Sequence, residues 1–131
     1  MKIIMCICLL ALSNVFLSAQ TLTVKVENIE QVKGNLLVGV YNNGKDFMEL
    51  HFKGRDVKIT GKTMTVTFPD LPEGTYAISA YQDMNGNKQL DKNFLGIPKE
   101  KYASSNNIEK PDFKKCSFSF RSDTTLTIRL R

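Results

Sequence analysis

The strongest constraint in this sequence is a two-residue alternation of apolar and polar side chains that keeps returning in short runs. Leu22, Val24 and Val26 alternate with Thr23 and Lys25, and Leu36, Val38 and Val40 repeat the pattern with Gly39 and Tyr41 on the other side. Val57 and Ile59 form a third run, and a turn at Gly61-Lys62 leads into Met64, Val66 and Phe68. Tyr76, Ile78 and Ala80 follow, then Phe118 and Phe120, then Leu126, Ile128 and Leu130. A period of two puts one set of side chains on one face of a strand, which is how a half-buried sheet is written. No segment of helical length carries a convincing apolar stripe at 3.6 residues. Seven short strands rich in Thr, Val, Ile and aromatics predict an all-β fold, a seven-stranded antiparallel β-sandwich of immunoglobulin-like or transthyretin-like type. Within it, Pro72-Glu73-Gly74 turns the chain just before Tyr76. That order predicts a tyrosine corner, in which the Tyr hydroxyl bonds back to nearby backbone.

The domain begins after an export signal. Residues 1–19 hold one Lys, an unbroken apolar run from Ile3 to Leu12, and the small residues Ser18 and Ala19. The run is shorter than the roughly 20 residues a membrane span needs, so the expectation is a signal peptide cleaved after Ala19. The domain is then residues 20–131, with no transmembrane segment, exported to a periplasm or the outside. Cys6 and Cys8 leave with the signal, Cys116 is the one remaining thiol, and no intrachain disulfide can form. Cys116, in step with Phe118 and Phe120, reads as a buried structural thiol. One His and no Trp in 131 residues exclude a site built on several histidines.

Two connections are long, residues 42–55 and 83–115, and long loops are often functional. In the first, Phe47 and Met48 are expected to tuck under the end of the sandwich, and His51 is expected at the surface. The second holds the one constellation with evident chemistry. Asp83, Asn85, Asn87, Gln89 and Asp91 place oxygen-bearing side chains at alternate positions, the pattern by which a loop wraps calcium. Gln89 would contribute its backbone carbonyl. Lys88 and Phe94 stand where an EF-hand loop has its obligatory Gly and its bidentate Glu, so the match is partial. The alternative is a metal-free polar turn, since Asn85-Gly86 favours a hairpin turn and Asp and Asn side chains close turns by themselves. The charge is uneven as well. Residues 20–98 carry nine basic and nine acidic side chains, whereas residues 99–131 carry eight and four. Lys99, Lys101, Lys110, Lys114 and Lys115 come with few interleaved aromatics, so nucleic acid is not the expected partner.

Three segments together make the chain resemble a known bacterial family. They are Leu71-Pro72-Glu73-Gly74-Thr75-Tyr76-Ala77, the run from Tyr81 to Asp91, and Phe94-Leu95-Gly96-Ile97-Pro98-Lys99-Glu100, followed by Ser105-Asn106-Asn107. They resemble the domain-of-unknown-function family 2141, small secreted or periplasmic proteins. Ala103-Ser104 stand where that family tends to show Gly-Phe. The resemblance implies a β-sandwich and export, and no activity.

Three classes of function follow as expectations. The first is a non-enzymatic binding module whose 83–115 loop, with Glu100 beside the calcium residues, offers a platform to an envelope protein or glycan. The second is a structural or assembly protein of the envelope that pairs through its edge strands. The third, an enzyme, is set aside. Transthyretin-like hydrolases need several His and a Tyr-Arg-Gly-Ser ending, whereas this chain has His51 alone and ends Ile128-Arg129-Leu130-Arg131. An acid–base pair of Asp83 and Asp91 would lie in a hydrophilic loop, with no burial to separate their pKa values.

Overall fold

The structure, a computed structural model, describes residues 19–86 and 100–131. Eight strands are present among the described residues: β1 (Gln20–Glu27), β2 (Asn35–Tyr41), β3 (Lys53–Lys58), β4 (Met64–Leu71), β5 (Gly74–Asp83), β6 (Tyr102–Ser104), β7 (Phe118–Phe120) and β8 (Thr124–Arg129). They form two sheets, one in the order β4-β1-β8 and one in the order β3-β2-β5-β6, with β7 also paired to β5. The inward residues of both meet in one core. Leu22, Val24 and Val26 of β1 face Leu36, Val38 and Val40 of β2 and Ile78 and Ala80 of β5, with Phe120 and Ile128 closing it. The alternation predicted these inward sets, because burying each large side chain stabilises by about 1.5–3 kcal/mol and the other phase would expose all of them.

The strand count and the pairing depart from the sequence reading. Tyr102–Ser104 is an eighth strand, set inside what reads as one long loop. Only Ala103 of its three residues enters the core, so it carries no alternation to detect. The sheets are not wholly antiparallel either, because β1 pairs with β8 in parallel. An amphipathic period gives the face of a strand but not the direction of its neighbour. Cys116 is buried, as expected, but in a single helical turn, α1 (Phe113–Cys116), rather than in strand β7. Burial pushes its thiol pKa up.

The tyrosine corner is present. Tyr76 donates its hydroxyl to the Pro72 carbonyl at 2.7 Å, its ring lying 5.9 Å from that of Phe120.

Strands β6 and β7 both run antiparallel to β5, first along Ser79–Tyr81 and then along Gly74–Tyr76. Between them the chain leaves the ladder for residues 105–117, which deprives β5 of backbone partners. Ser105 fills the gap. Its hydroxyl accepts from the Ile78 amide at 2.9 Å and donates to the Cys116 carbonyl at 2.5 Å. Asn106, at φ 62°, donates to the Lys115 and Ser117 carbonyls. Asn107 accepts from the Arg129 amide of β8 at 2.9 Å, so it ties the excursion to the other sheet. The Ser-Asn-Asn segment is thus a set of backbone surrogates holding the two sheets together. Arg131 completes the seam by exchanging backbone hydrogen bonds with Tyr102 of β6.

Candidate ligand cleft on the five-stranded sheet

The outer face of the larger sheet follows from register. Gly54 of β3 pairs with Gly39 of β2, Gly39 with Ser79 of β5, and Ser79 with Ser104 of β6. Four small residues therefore lie in one row across four strands. The next row along holds Asp56, Leu37, Tyr81 and Tyr102. A row of small side chains beside a row of large ones leaves a trough. An isolated Gly within an apolar strand commonly marks a close approach of another group. Here the groups are rings. A Cβ on Gly39 would stand 2.9 Å from the Tyr41 hydroxyl, and one on Gly54 would stand 2.4 Å from Nε2 of His51.

The connection between β2 and β3 forms one wall. Asn43 Oδ1 accepts from the Asp46 amide at 2.9 Å and the Asp46 carbonyl accepts from Glu49 and Leu50, which winds the segment into a tight turn. Phe47 anchors it, with its ring edge-on to Tyr41 at 5.2 Å and to Phe113 at 6.1 Å. So Phe47 covers the outer sheet face rather than the end of the sandwich. Met48, beside it at φ 65°, stays exposed. The Phe52 amide then donates to the Val40 carbonyl at 2.8 Å and returns the chain to the ladder. The result is a cleft of about 620 Å³ between this turn and the sheet, with Tyr41, Phe47, His51, Asp56, Ser79 and Tyr81 among its lining.

Its electrostatics are uneven. The Tyr81 hydroxyl is pushed up to about 12, first by burial and then by Asp83, Tyr41, Glu100 and Asp56. Burial also raises Tyr41. Both phenols keep their protons at neutral pH and can donate or accept. Arg55 contributes to the rim, but it occupies the opposite phase of β3, and its guanidinium donates to the Thr67 carbonyl at 2.8 Å. Asp56 shares the cleft's phase and accepts from Asn35 Nδ2 at 2.7 Å. His51 is exposed, as the sequence suggested, and makes no hydrogen bond among the described residues.

The residues singled out for calcium lie elsewhere. Asp83 ends β5 and is 2% exposed, so the expectation of an exposed polar loop does not hold at this carboxylate. Its Oδ1 accepts from the Gly86 amide at 2.9 Å, which closes the turn around Asn85-Gly86. Glu100 approaches from the far end of the loop and accepts from the Met84 amide at 2.6 Å. Asn87, Gln89 and Asp91 lie outside the described residues. Among the described residues, no group of three or more His, Cys, Asp or Glu is placed to hold a metal ion. No described helix is long and apolar enough to cross a membrane. The cleft residues carry one sequence signal outside any motif, the Gly39 interruption of β2.

Fold and cleft together define an all-β protein of two facing sheets with a partly aromatic trough on the larger one. The family model described as an uncharacterized protein conserved in bacteria (DUF2141) matches residues 24–128, and the chain belongs to that family. Comparison with curated proteins and with solved structures finds no match.

Proposed function

We propose that this chain is an exported, non-enzymatic binding module, a sandwich of immunoglobulin-like or transthyretin-like type whose ligand site is the cleft between residues 42–52 and the larger sheet. The observation that carries the reading is the row Gly54–Gly39–Ser79, which lies within the cleft lining. Small residues at one register of three adjacent strands, walled by Tyr81 on one side and the Phe47 turn on the other, make a concavity of ligand size. The tyrosine corner supports the immunoglobulin-like type. The alternation of Lys, apolar run and small residues in positions 1–19 supports export. A fragment screen read by amide chemical shifts tests the site. Shifts clustered at Gly39, Gly54, Ser79 and Tyr81 are expected, and hits that map to other surfaces, or none at all, overturn it.

A second reading adds calcium at the 83–91 loop as an ordering ion. It is favoured by the convergence of Glu100 and Asp83 at the loop's two ends, both within electrostatic reach of the Tyr81 hydroxyl. Millimolar calcium is then expected to raise the melting temperature, since a ligand that binds only the folded state stabilises it. The increase should vanish in Asp91→Asn. Melting that is unchanged across the titration, with no heat of binding, leaves the plain turn.

A further inference from the structure

We propose that the cleft takes a neutral oligosaccharide, held by hydroxyls and ring faces rather than by charge. This rests on the cleft being a ligand site and adds the class of ligand. The first observation is what stands on the floor. Directly paired residues share one face of a sheet, so Gly54, Gly39 and Ser79 open to the same side. The two glycines let polar rings lie down on the strands. The His51 imidazole rests over Gly54, and the Tyr41 ring edge and hydroxyl rest over Gly39, where a Cβ would collide with them. Imidazole, phenol and the Ser79 hydroxyl thus follow one another across three strands. Adjacent strands lie about 4.8 Å apart, so this polar row spans about 10 Å, the length of two linked pyranose rings.

The second observation is that these groups are uncommitted. Tyr41 is 8% and Ser79 7% exposed, yet neither hydroxyl makes a hydrogen bond among the described residues. Fully enclosed side-chain N and O atoms lacking a partner are absent among the described residues, so both hydroxyls reach solvent, and both residues line the cleft. A hydroxyl donates as well as accepts, and a neutral imidazole has one nitrogen for each role. A sugar hydroxyl has the same double capacity, so each contact along the row can be made in either direction. The third observation is charge of both signs. Glu49 and Asp56 line the cleft together with Arg55, whose guanidinium stays cationic while it donates to the Thr67 carbonyl. Neither a cation nor an anion is singled out, whereas a neutral polyol satisfies donors and acceptors alike. Ring faces supply the rest. Phe47 and Tyr81 flank the row, and the slightly positive C–H face of a pyranose suits the negative face of an aromatic ring. An extended peptide is the competing neutral ligand. Strand addition needs an open sheet edge, and the floor strands β2 and β5 are paired on both sides.

An array of neutral, uronic-acid and amino-sugar oligosaccharides, probed with the labelled protein and followed by amide shifts with the strongest binder, tests the class. Binding concentrated among neutral glycans, with shifts at Gly39, Gly54, Ser79 and Tyr81, is expected. Tyr41→Phe keeps the ring, and Ser79→Ala keeps a small residue in the floor. Each should weaken that glycan by about fivefold, the worth of one neutral hydrogen bond, without lowering the melting temperature. Binding confined to acidic or amino glycans overturns the neutrality, and parent-like affinity in both variants overturns the hydroxyl row. No glycan binding, shifts that map elsewhere, or shifts with a Gly-Ser-Gly peptide alone overturn the saccharide class, while fragment hits at Ser79 and Tyr81 keep the cleft as a site. Absence of both glycan binding and fragment hits overturns both readings.

Discussion

Replacing Ser105 by Ala removes one oxygen and leaves two backbone groups without their partner. The Ile78 amide loses an acceptor at 2.9 Å and the Cys116 carbonyl loses a donor at 2.5 Å. Ser105 is 1% exposed, so bulk water does not readily replace either bond. An unsatisfied buried backbone group costs about 1–3 kcal/mol, and the carbonyl retains a second lone pair, so a loss of about 2–4 kcal/mol is expected. Against a total of roughly 5–15 kcal/mol for a domain of this size, that is a large fraction. Urea unfolding should show it as a midpoint lowered by about 1–3 M, with the slope unchanged. Ser104→Ala is the neighbouring control. Its hydroxyl donates to the Ile108 carbonyl at 3.2 Å and also bonds the Cys116 thiol, so its removal leaves no backbone amide without an acceptor and should cost about 1 kcal/mol. Hydrogen exchange at Ile78 gives the local readout, and its protection should fall in Ser105→Ala alone. A Ser105→Ala protein within about 0.5 kcal/mol of the parent, with Ile78 still protected, would refute the surrogate role of this hydroxyl.

Gly34 sits at φ 73° where a Cβ would come 2.3 Å from the Asp83 carbonyl oxygen, so Gly34→Ala should destabilise by more than about 2 kcal/mol, measured by the same unfolding curves. The Tyr81 hydroxyl, raised to about 12 from 10.0, keeps its proton in the folded state after the unfolded chain has lost it. Its contribution is therefore complete below pH 10 and disappears as the pH climbs towards 12, and Tyr81→Phe should flatten that alkaline loss in a pH series of thermal melts.

What was legible in the sequence was the phase of each strand. Val24, Val38 and Ile78 are inward because the alternation admits no other burial, and Gly39 and Tyr41 fall on the outer face for the same reason. The Pro72–Tyr76 corner was legible too, since both partners lie within one turn. Pairing was not. The parallel neighbour of β1 is β8, roughly a hundred residues away, and nothing in the period of either strand encodes that choice. Nor was strand β6, three residues whose place is fixed by Tyr81 and Ser79 beside it and by Arg131 at its free edge.

The same distinction explains why the acidic-amide loop stands out in the sequence and the cleft does not. Asp83, Asn85 and their successors are adjacent in sequence, so their pattern is visible whatever the fold does with them. The cleft's floor is a single register line, in which residues 39, 54 and 79 come from three strands. Each is an ordinary small residue in its own strand, and the trough exists only once two pairings are fixed. Ser105-Asn106-Asn107 shows the converse. The segment is conspicuous as a motif, but its side chains are turned to backbone groups of β5, β8 and residues 115–117. It holds the β5 edge together where β6 breaks off, next to Ser79 and Tyr81 of the cleft lining. On this architecture the legible motif supports the site, and the site is built from residues without a motif.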